Sequence, residues 1–214
     1  MTITTPDMQA VIRVIYEAIN EQKAQLNALD AELGDGDHGT TISVGFAAVV
    51  EKTRDAESPA QVLQLTATTL MNRMGGASGA LFGTLFLRAA MMVKNLDVVS
   101  TDQFAAMWQA GLDGVIERGK AQPGDKTMID ALAPAVDALK QAVDHNKPLV
   151  EALEMAAEAA EQGAQSTATM QARHGRARYV GERAIGQVDA GAQSIALMFA
   201  AMHAYWKEKE NDET

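Results

Sequence analysis

Apolar side chains recur at helical spacing through almost the whole chain of 214 residues. In the first such segment they are Met8, Val11, Ile12, Ile15 and Ile19, which lie at positions i, i+3, i+4, i+7 and i+11 of one helical face. We find no convincing run that alternates apolar and polar residues, and no Asn-Gly pair that would predict a hairpin. The sequence therefore predicts an all-α fold.

Eight segments show this period, and short turns separate them. The predicted helices cover about residues 5–26, 41–54, 60–73, a segment after 83 that carries Leu85 to Met92, 100–115, 128–143, 149–163 and 191–207, followed by a frayed charged tail. Short connections favour antiparallel neighbours, so we expect an antiparallel up-and-down barrel or bundle of eight helices. No internal repeat or linker divides the chain, which predicts a single domain over residues 1–214.

Composition excludes several classes of function. A net charge of −10 argues against a nucleic-acid partner, because such proteins present a basic face. The absence of cysteine excludes disulfides and thiolate chemistry. No apolar run reaches about 18 residues, so we expect no membrane span. The amino terminus lacks the pattern of a signal peptide, and we expect a cytoplasmic protein.

The most unusual stretch is residues 34–41 with Asp30 just upstream, where the carboxylates of Asp30, Asp35 and Asp37 fall within eight positions. Like charges this close raise one another's pKa unless solvent or a cation intervenes. One interpretation is an exposed acidic turn. The other is a metal site, because a helical pattern follows at once. Carboxylates hold Mg²⁺ together with phosphate oxygens, and helix N-terminal amides bind the phosphate.

Two literal motif matches fail in this stretch. Gly34, Gly36 and Gly39 satisfy G-x-G-x-x-G, but that fingerprint requires a preceding strand and a βαβ unit. An EF-hand loop counted from Asp35 would need an acidic residue where Phe46 stands. The phosphate-binding sequence G-x-x-x-x-G-K-[ST] is also absent. A nucleotide site would therefore have to use aspartate-held metal and helix ends.

Alternate turns share one end of an up-and-down bundle, and the four odd-numbered turns are the unusual ones. They are residues 30–40 with the carboxylates, 74–79 with Gly-Gly-x-Ser-Gly, 118–127 with Gly-Asp-Lys-Thr, and the arginine-rich 164–190. Taken singly, each is also consistent with a helix cap, close packing or a solvated loop. Together on one rim they supply carboxylates for metal, amides for phosphate and cations for developing charge. We therefore predict a magnesium-nucleotide site at that rim.

Two further side chains stand out beside these turns. His38 adjoins the carboxylates and is the histidine that we expect to be functional, whereas His145 and His203 fit surface or packing roles and His174 lies in the arginine-rich loop. Met128 opens the sixth predicted helix at the rim, where it can touch a base.

The assembled motifs resemble the nucleotide-binding subunit of dihydroxyacetone kinases, the DhaL family. The matching pieces are Leu29-Asp30, Gly34 to Gly39, Gly75 to Gly79, Arg118-Gly119-Lys120, Pro123 to Met128, Gly175-Arg176-Ala177, Gly181-Glu182-Arg183, Ile185-Gly186 and Asp189-Ala190-Gly191. The resemblance implies an eight-helix barrel with ADP or ATP at one rim. It implies two Mg²⁺ ions held by Asp30, Asp35 and Asp37, and catalytic roles for Arg176 and His38. The implied nucleotide contacts are His38, Gly39, Thr40, Thr41, Ala77, Ser78, Gly119, Met128, Arg176, Asp189, Ala190 and Gly191.

The implied reaction is phosphoryl transfer to the hydroxyl of a short ketose, dihydroxyacetone or one like erythrulose, which a separate ketone-binding subunit holds. The phosphoryl donor is left open. Gly36 and Thr40-Thr41 look more like the ATP-using kinases than the members coupled to a phosphotransferase system, in which a donor protein recharges bound ADP. A nucleotide-sensing adaptor for a transcription regulator is the alternative function. Homodimerisation is also left open.

Overall fold

The computed structural model describes residues 2–212 and consists mainly of α-helices. Within that range the helices are α1 (Thr5–Glu21), α2 (Lys23–Leu33), α3 (His38–Thr53), α4 (Pro59–Arg73), α5 (Gly76–Met92), α6 (Thr101–Gly119), α7 (Ile129–Asp144), α8 (Leu149–Ser166) and α9 (Ala190–Asp212). Met1, Glu213 and Thr214 belong to the predicted domain but lie outside the described residues.

Eight of these helices form a closed ring. From α3 onward each helix packs on the next, α9 returns to pack on α1, and α1 packs on α3. Helix α2 lies beside this ring against α3 and α9. Because buried apolar residues from all nine described helices belong to one cluster, the ring encloses a common core. The predicted all-α, eight-helix up-and-down barrel is confirmed, with α2 as an additional helix.

The predicted first helix is in fact two helices. The break falls at Gln22, where φ is −91° and ψ is 9°, between α1 and α2. Leu26 beyond the break is fully buried, so the apolar period continues across it and the sequence gives no sign of it. Helix α2 continues to Leu33, so Asp30 lies on this helix and not in the loop where we expected it.

The glycine-rich stretch after α4 also differs from the prediction, because α5 begins at Gly76 and not after Gly83. Glycine is a poor helix former, which made this stretch resemble a loop. Close contact with α4 explains the choice of residue. A Cβ at Gly79 would lie 2.3 Å from the carbonyl oxygen of Met74, and one at Gly83 would lie 2.3 Å from Cγ of Met71.

Two smaller predictions were wrong, and both concern residues that contact the chain near the start of α1. The charged tail is helical through Asp212, and Lys209 in it pairs with the buried carboxylate of Asp7. A short antiparallel pairing joins β1 (Thr2–Ile3) to β2 (Val99–Ser100). Strands of two residues are too short to show alternation, so the sequence could not reveal them.

None of the helices formed by residues 2–212 is both long enough and apolar enough to cross a membrane.

Candidate functional site

Four connections surround a cavity of about 590 Å³ at one end of the barrel. They are those between α2 and α3, α4 and α5, α6 and α7, and α8 and α9, each with the adjoining helix ends. These are the four turns that the sequence placed on one rim, so that prediction is confirmed. The cavity volume falls in the usual range for small-molecule and cofactor sites. Part of its wall is apolar, formed by Leu33, Leu81, Phe82, Val115, Met128 and Ile129.

The three predicted metal ligands meet at this cavity. One carboxylate oxygen from each of Asp30, Asp35 and Asp37 lies within 4.8 Å of the other two. The Asp30 carboxylate is also fixed by the backbone N–H groups of Asp37 (3.0 Å) and His38 (3.2 Å). Arg176, which also lines the cavity, pairs with Asp35, one of these three carboxylates. This donor set fits Mg²⁺, which takes one or two carboxylates and completes its shell with water and phosphate oxygens.

The N-terminus of α5 offers an anion site beside the carboxylates. Gly75 caps this helix without a side-chain hydrogen bond, so no side-chain cap satisfies the first backbone N–H groups. A Cβ at Gly75 or Gly76 would meet nothing within 4 Å, and Gly76 has a φ of +65°. The backbone here is therefore open to a phosphate-sized ligand, and the predicted contacts Ala77 and Ser78 follow in the same turn.

Two predicted nucleotide contacts do not line the cavity. Gly39 is buried against α2, where an added Cβ would lie 2.2 Å from the carbonyl oxygen of Lys23. Thr40 faces Asn27, which accepts from its backbone N–H and donates to its hydroxyl, both at 2.9 Å. The assignment of Gly39 and Thr40 as nucleotide contacts stays a prediction. The other predicted site residues all line the cavity, namely Asp30, Asp35, Asp37, His38, Thr41, Ala77, Ser78, Gly119, Met128, Arg176, Asp189, Ala190 and Gly191.

His38 is buried at the base of the cavity and is held by α9. Its Nε2 lies 2.8 Å from the hydroxyl of Ser194, and that hydroxyl donates to the carbonyl of Ala190 at 2.9 Å. Because the Ser194 hydroxyl donates its proton to Ala190, it accepts a hydrogen bond from His38, and the proton of that bond is assigned to Nε2. Burial lowers the pKa of His38, while the charge of Asp30 opposes this effect. In the neutral form of the ring, these contacts leave Nδ1 as the hydrogen-bond acceptor.

Asp189 caps α9 at the cavity wall. Its carboxylate accepts from the N–H of Ala192 at 2.8 Å, and its own N–H donates to Thr167 at 2.9 Å. Burial raises the pKa of Asp189 to about 6, although the Ala192 N–H and the charge of Lys126 lower it. Close by, a Cβ at Gly191 would lie 3.5 Å from that of Met128, so the start of α9 packs on the start of α7.

The turn between α6 and α7, which the sequence placed on the rim, contains buried charges to which the sequence assigned no individual role. Asp130 accepts from the N–H groups of Gly124 and Thr127, and Asp125 accepts from the N–H of Gln122. Lys126 is 1% exposed. Burial lowers the pKa of its ammonium, while Asp189 and Asp130 raise it. The sequence indicated a helix cap here, and nothing in its local pattern distinguishes a buried lysine from an exposed one.

Residues 168–186, which we call the arginine segment, contribute His174, Gly175, Arg176 and Ala177 to the lining of the cavity. Apart from two 3-10 turns within it, Ala177–Tyr179 and Gly181–Ala184, and the last residues of a third, its backbone is irregular. Its buried apolar residues, Ala172 and Ala184, belong to a small cluster separate from the main core, together with Leu33, Ala177 and Val180. His174 in this segment also lines the cavity, contrary to the minor role expected from the sequence.

Comparison with known proteins identifies the family. The sequence model described as the DAK2 domain matches residues 32–204, most of the chain. The chain belongs to the DAK2-domain family. This DAK2-domain chain is 44% identical over 194 residues to the ADP-binding subunit DhaL of the PEP-dependent dihydroxyacetone kinase of Escherichia coli, covering 90% of this chain and 92% of that subunit. The resemblance drawn from the motifs is confirmed.

Two further comparisons agree. The DAK2-domain chain is 36% identical over 189 residues to the ADP-binding subunit DhaL of PEP-dependent dihydroxyacetone kinase 1 of Listeria innocua, covering 87% of this chain and 89% of that subunit. It superposes on the crystal structure of the dihydroxyacetone kinase from C. freundii in complex with AMP-PNP and Mg²⁺ with a TM-score of 0.72 and 27% identity. The match covers 92% of this chain and 33% of that enzyme, so the DAK2-domain chain spans about a third of it.

Proposed function

We propose that this protein is the nucleotide-binding subunit of a dihydroxyacetone-type kinase. It presents a magnesium-bound nucleotide for phosphoryl transfer to the hydroxyl of a short ketose held by a separate subunit. The observation that carries this proposal is the meeting of three carboxylates with the uncapped N-terminus of α5 in one cavity. The names of the E. coli and L. innocua relatives support the same reading, since both are ADP-binding subunits of dihydroxyacetone kinases.

Each part of the cavity has a role in this function. Asp30, Asp35 and Asp37 would hold two Mg²⁺ ions, which neutralise phosphate charge when bound. The N–H groups at Ala77 and Ser78 would receive phosphate oxygens. Arg176, which forms an ion pair with Asp35, would stabilise charge on the transferring group. The apolar wall with Met128 would hold the base.

His38 would act as a neutral hydrogen-bond acceptor toward the nucleotide or its water. Ser194 and Ala190 hold its ring with Nε2 turned away, which leaves Nδ1 as the available atom. In this arrangement catalysis comes from position and electrostatics, and no covalent intermediate forms on this chain.

We propose that the nucleotide is a resident ADP recharged by a phosphotransfer protein. The E. coli and L. innocua relatives are named PEP-dependent, and this chain covers about nine-tenths of each. An ADP retained through gel filtration and active only with a phosphohistidine donor is the expected result. Rapid exchange with ATP and turnover on ATP alone would favour the ATP-using version instead.

The ketose-bearing partner would dock on the open rim, because the transferred group must reach a hydroxyl outside this chain. Two large apolar side chains of the arginine segment are exposed there, Tyr179 at 75% and Ile185 at 51%. Such side chains next to a site are typical anchors of protein interfaces.

Calorimetric titration with ADP, with and without Mg²⁺, tests the binding step directly. Mixing the protein with a ketone-binding subunit, dihydroxyacetone and either ATP or a phosphohistidine donor tests the transfer step. We expect Mg²⁺-dependent binding and formation of a phosphate ester with one of the donors. Binding without product under any donor would favour the nucleotide-sensing adaptor, and no binding at all would refute both functions.

A further inference from the structure

The arginine segment has little packing of its own to hold it in place. The members of its apolar cluster include three alanines, and the side chains of Arg173, Arg176, Arg178 and Arg183 are all exposed. Ordering an irregular backbone is entropically costly, and small side chains offset little of that cost. Other contacts must therefore fix the position from which Arg176 reaches Asp35.

Lys126 supplies two of these contacts, one at each end of the segment. Its ammonium donates to the carbonyl of Thr167, just before the segment, and to the carbonyl of Gln187, just after it. Beside this bridge, the N–H of Gly186 donates to the carbonyl of Ala168 at 2.7 Å. One buried cation thus joins the two ends of a segment that lines part of the cavity.

The neighbouring residue Asp125 holds the middle of the segment. Its backbone carbonyl accepts from the N–H of Arg173 at 3.2 Å, and its carboxylate lies 3.1 Å from Nε2 of His174 and 3.6 Å from the guanidinium of Arg173. Arg176 follows only two residues after His174. The turn between α6 and α7 therefore holds the segment at both ends and close to its functional arginine.

Lys126 has an unfavourable backbone conformation and an unfavourably buried charge in this arrangement. Its φ of 61° lies in the left-handed region, which side chains other than glycine rarely adopt. Its ammonium is removed from water, which is unfavourable without polar partners. Unfavourable conformations of this kind persist where the surroundings fix them, and they concentrate at functional sites. Asp130, which accepts from the N–H groups on either side of Lys126, fixes this one.

We infer that Lys126 is a positioning residue for phosphoryl transfer, because it fastens both ends of the arginine segment and so sets where Arg176 meets the nucleotide. It acts through Arg176 and does not itself need to touch the phosphate. This inference rests on the proposed function, in which Arg176 stabilises the transferring group.

The test compares Lys126→Met, which removes the ammonium but keeps an unbranched chain, with Lys120→Met. Lys120 is a matched control: it lies in the same connection with a φ of 53°, but its side chain is exposed. In hydrogen exchange we expect residues 168–186 to lose protection in Lys126→Met, with α7, α8 and α9 unchanged and Lys120→Met like the wild type. Unchanged protection of the segment in Lys126→Met would overturn the inference.

A double-mutant cycle with Arg176→Ala separates positioning through Arg176 from general support. We expect Lys126→Met to lower kcat for phosphoryl transfer about 10²-fold, the effect of a displacement of about 1 Å, with a smaller change in KM. In the Arg176→Ala background the same substitution should have almost no effect. Fully additive losses would contradict action through Arg176.

A failure of this inference can be distinguished from a failure of the proposed function. If the wild type neither binds Mg-ADP nor transfers phosphate, the proposed function fails while hydrogen exchange still decides what Lys126 holds. If Lys126→Met does not fold, Lys126→Gln, which keeps a donor, replaces it. Loss of helicity in both variants would show that Lys126 supports the whole barrel, and it would overturn the positioning role.

Discussion

At the scale of single residues, the cavity carries more negative charge than its own cations neutralise. Asp35 and Asp37 are exposed, and Arg176 is the cation paired with Asp35 among the described contacts. Like charges at this separation are tolerated in water but disfavour one another. A divalent cation bound as in the proposed function would remove this repulsion, so on that proposal these carboxylates favour ligand binding more than stability of the free protein.

Asp37→Asn therefore should separate binding from folding. Asp37 makes no side-chain cap to α3, so its replacement removes charge without removing a helix cap. We expect loss of Mg²⁺-dependent ADP binding in calorimetry, with stability of the free protein unchanged within about 0.5 kcal/mol or slightly raised. Asp97→Asn, an exposed aspartate between α5 and α6, is the control and should bind normally. Wild-type ADP affinity in Asp37→Asn would contradict the metal assignment.

Asp189 predicts a pH dependence of stability with a definite sign. Burial raises the pKa of Asp189 to about 6, above the value of about 4 for an unfolded chain. The folded state thus holds this proton more tightly, so the contribution to stability is complete below about pH 4 and is lost as pH rises toward 6.

Asp189→Asn keeps an oxygen for the N–H of Ala192 and removes the titration. In urea unfolding, we expect the stability of the wild type relative to this variant to fall by about 1–3 kcal/mol between pH 4 and pH 6, and to stay level above pH 7. Taking the difference cancels other groups such as Asp7, whose pKa is lowered. A difference that is constant with pH would show that Asp189 is not perturbed.

At the scale of helices and turns, close approach of backbones sets the geometry of the rim. Helix α8 meets the start of α7 at Gly163, where an added Cβ would lie 2.2 Å from the carbonyl oxygen of Asp130. Asp130 in turn organises the turn that holds Lys126. The spacing between α7 and α8 thus affects the site through one short turn.

Gly163→Ala should destabilise the protein although alanine is the better helix former. The methyl group meets backbone atoms that cannot rotate away, and overpacking of this kind costs about 1–3 kcal/mol, against a propensity gain of about 1 kcal/mol. Chemical denaturation measures the difference. Gly75→Ala is the stability control, because its methyl group would meet nothing within 4 Å at a φ of −78°. Equal stability of the two variants would refute the close contact.

Helical period and turn parity were sufficient to predict the barrel and the rim of the cavity, because both follow from local patterns. The break at Gln22 escaped prediction since the apolar stripe continues through Leu26. The helix over Gly76–Gly83 escaped because tertiary contact with α4 overrides the low propensity of glycine. The contacts of Lys126 join residues 41 and 61 positions apart, which no window of sequence reports.

At the scale of the whole molecule, the site draws on four connections that are distant in sequence. Ligand binding should therefore stabilise the folded barrel as a unit, because the unfolded chain presents no such cavity. Ligand binding stabilises the folded state by mass action. If the carboxylates act only through Mg²⁺, this stabilisation requires both the metal and the nucleotide.

With Mg-ADP at a hundred times its dissociation constant, we expect a gain of about 2.7 kcal/mol. For a chain of this size the melting temperature should rise by about 5–10 °C. Differential scanning calorimetry measures the rise, and ADP with a chelator in place of Mg²⁺ is the control, which should shift the melting temperature much less. A melting temperature indifferent to saturating Mg-ADP would count against any nucleotide site in this cavity.

The contact that closes the ring has one more consequence. Asp7 on α1 meets Tyr205 and Lys209 on α9, so the start of the first described helix and the end of the last one lie together, at the end of the barrel facing away from the cavity. Adjacent helix ends of this kind are what circular permutation requires. A short peptide that joins these helix ends, with new termini between α3 and α4, should leave the ring of helices intact. A protein fused at the new termini should then lie away from the entrance to the cavity.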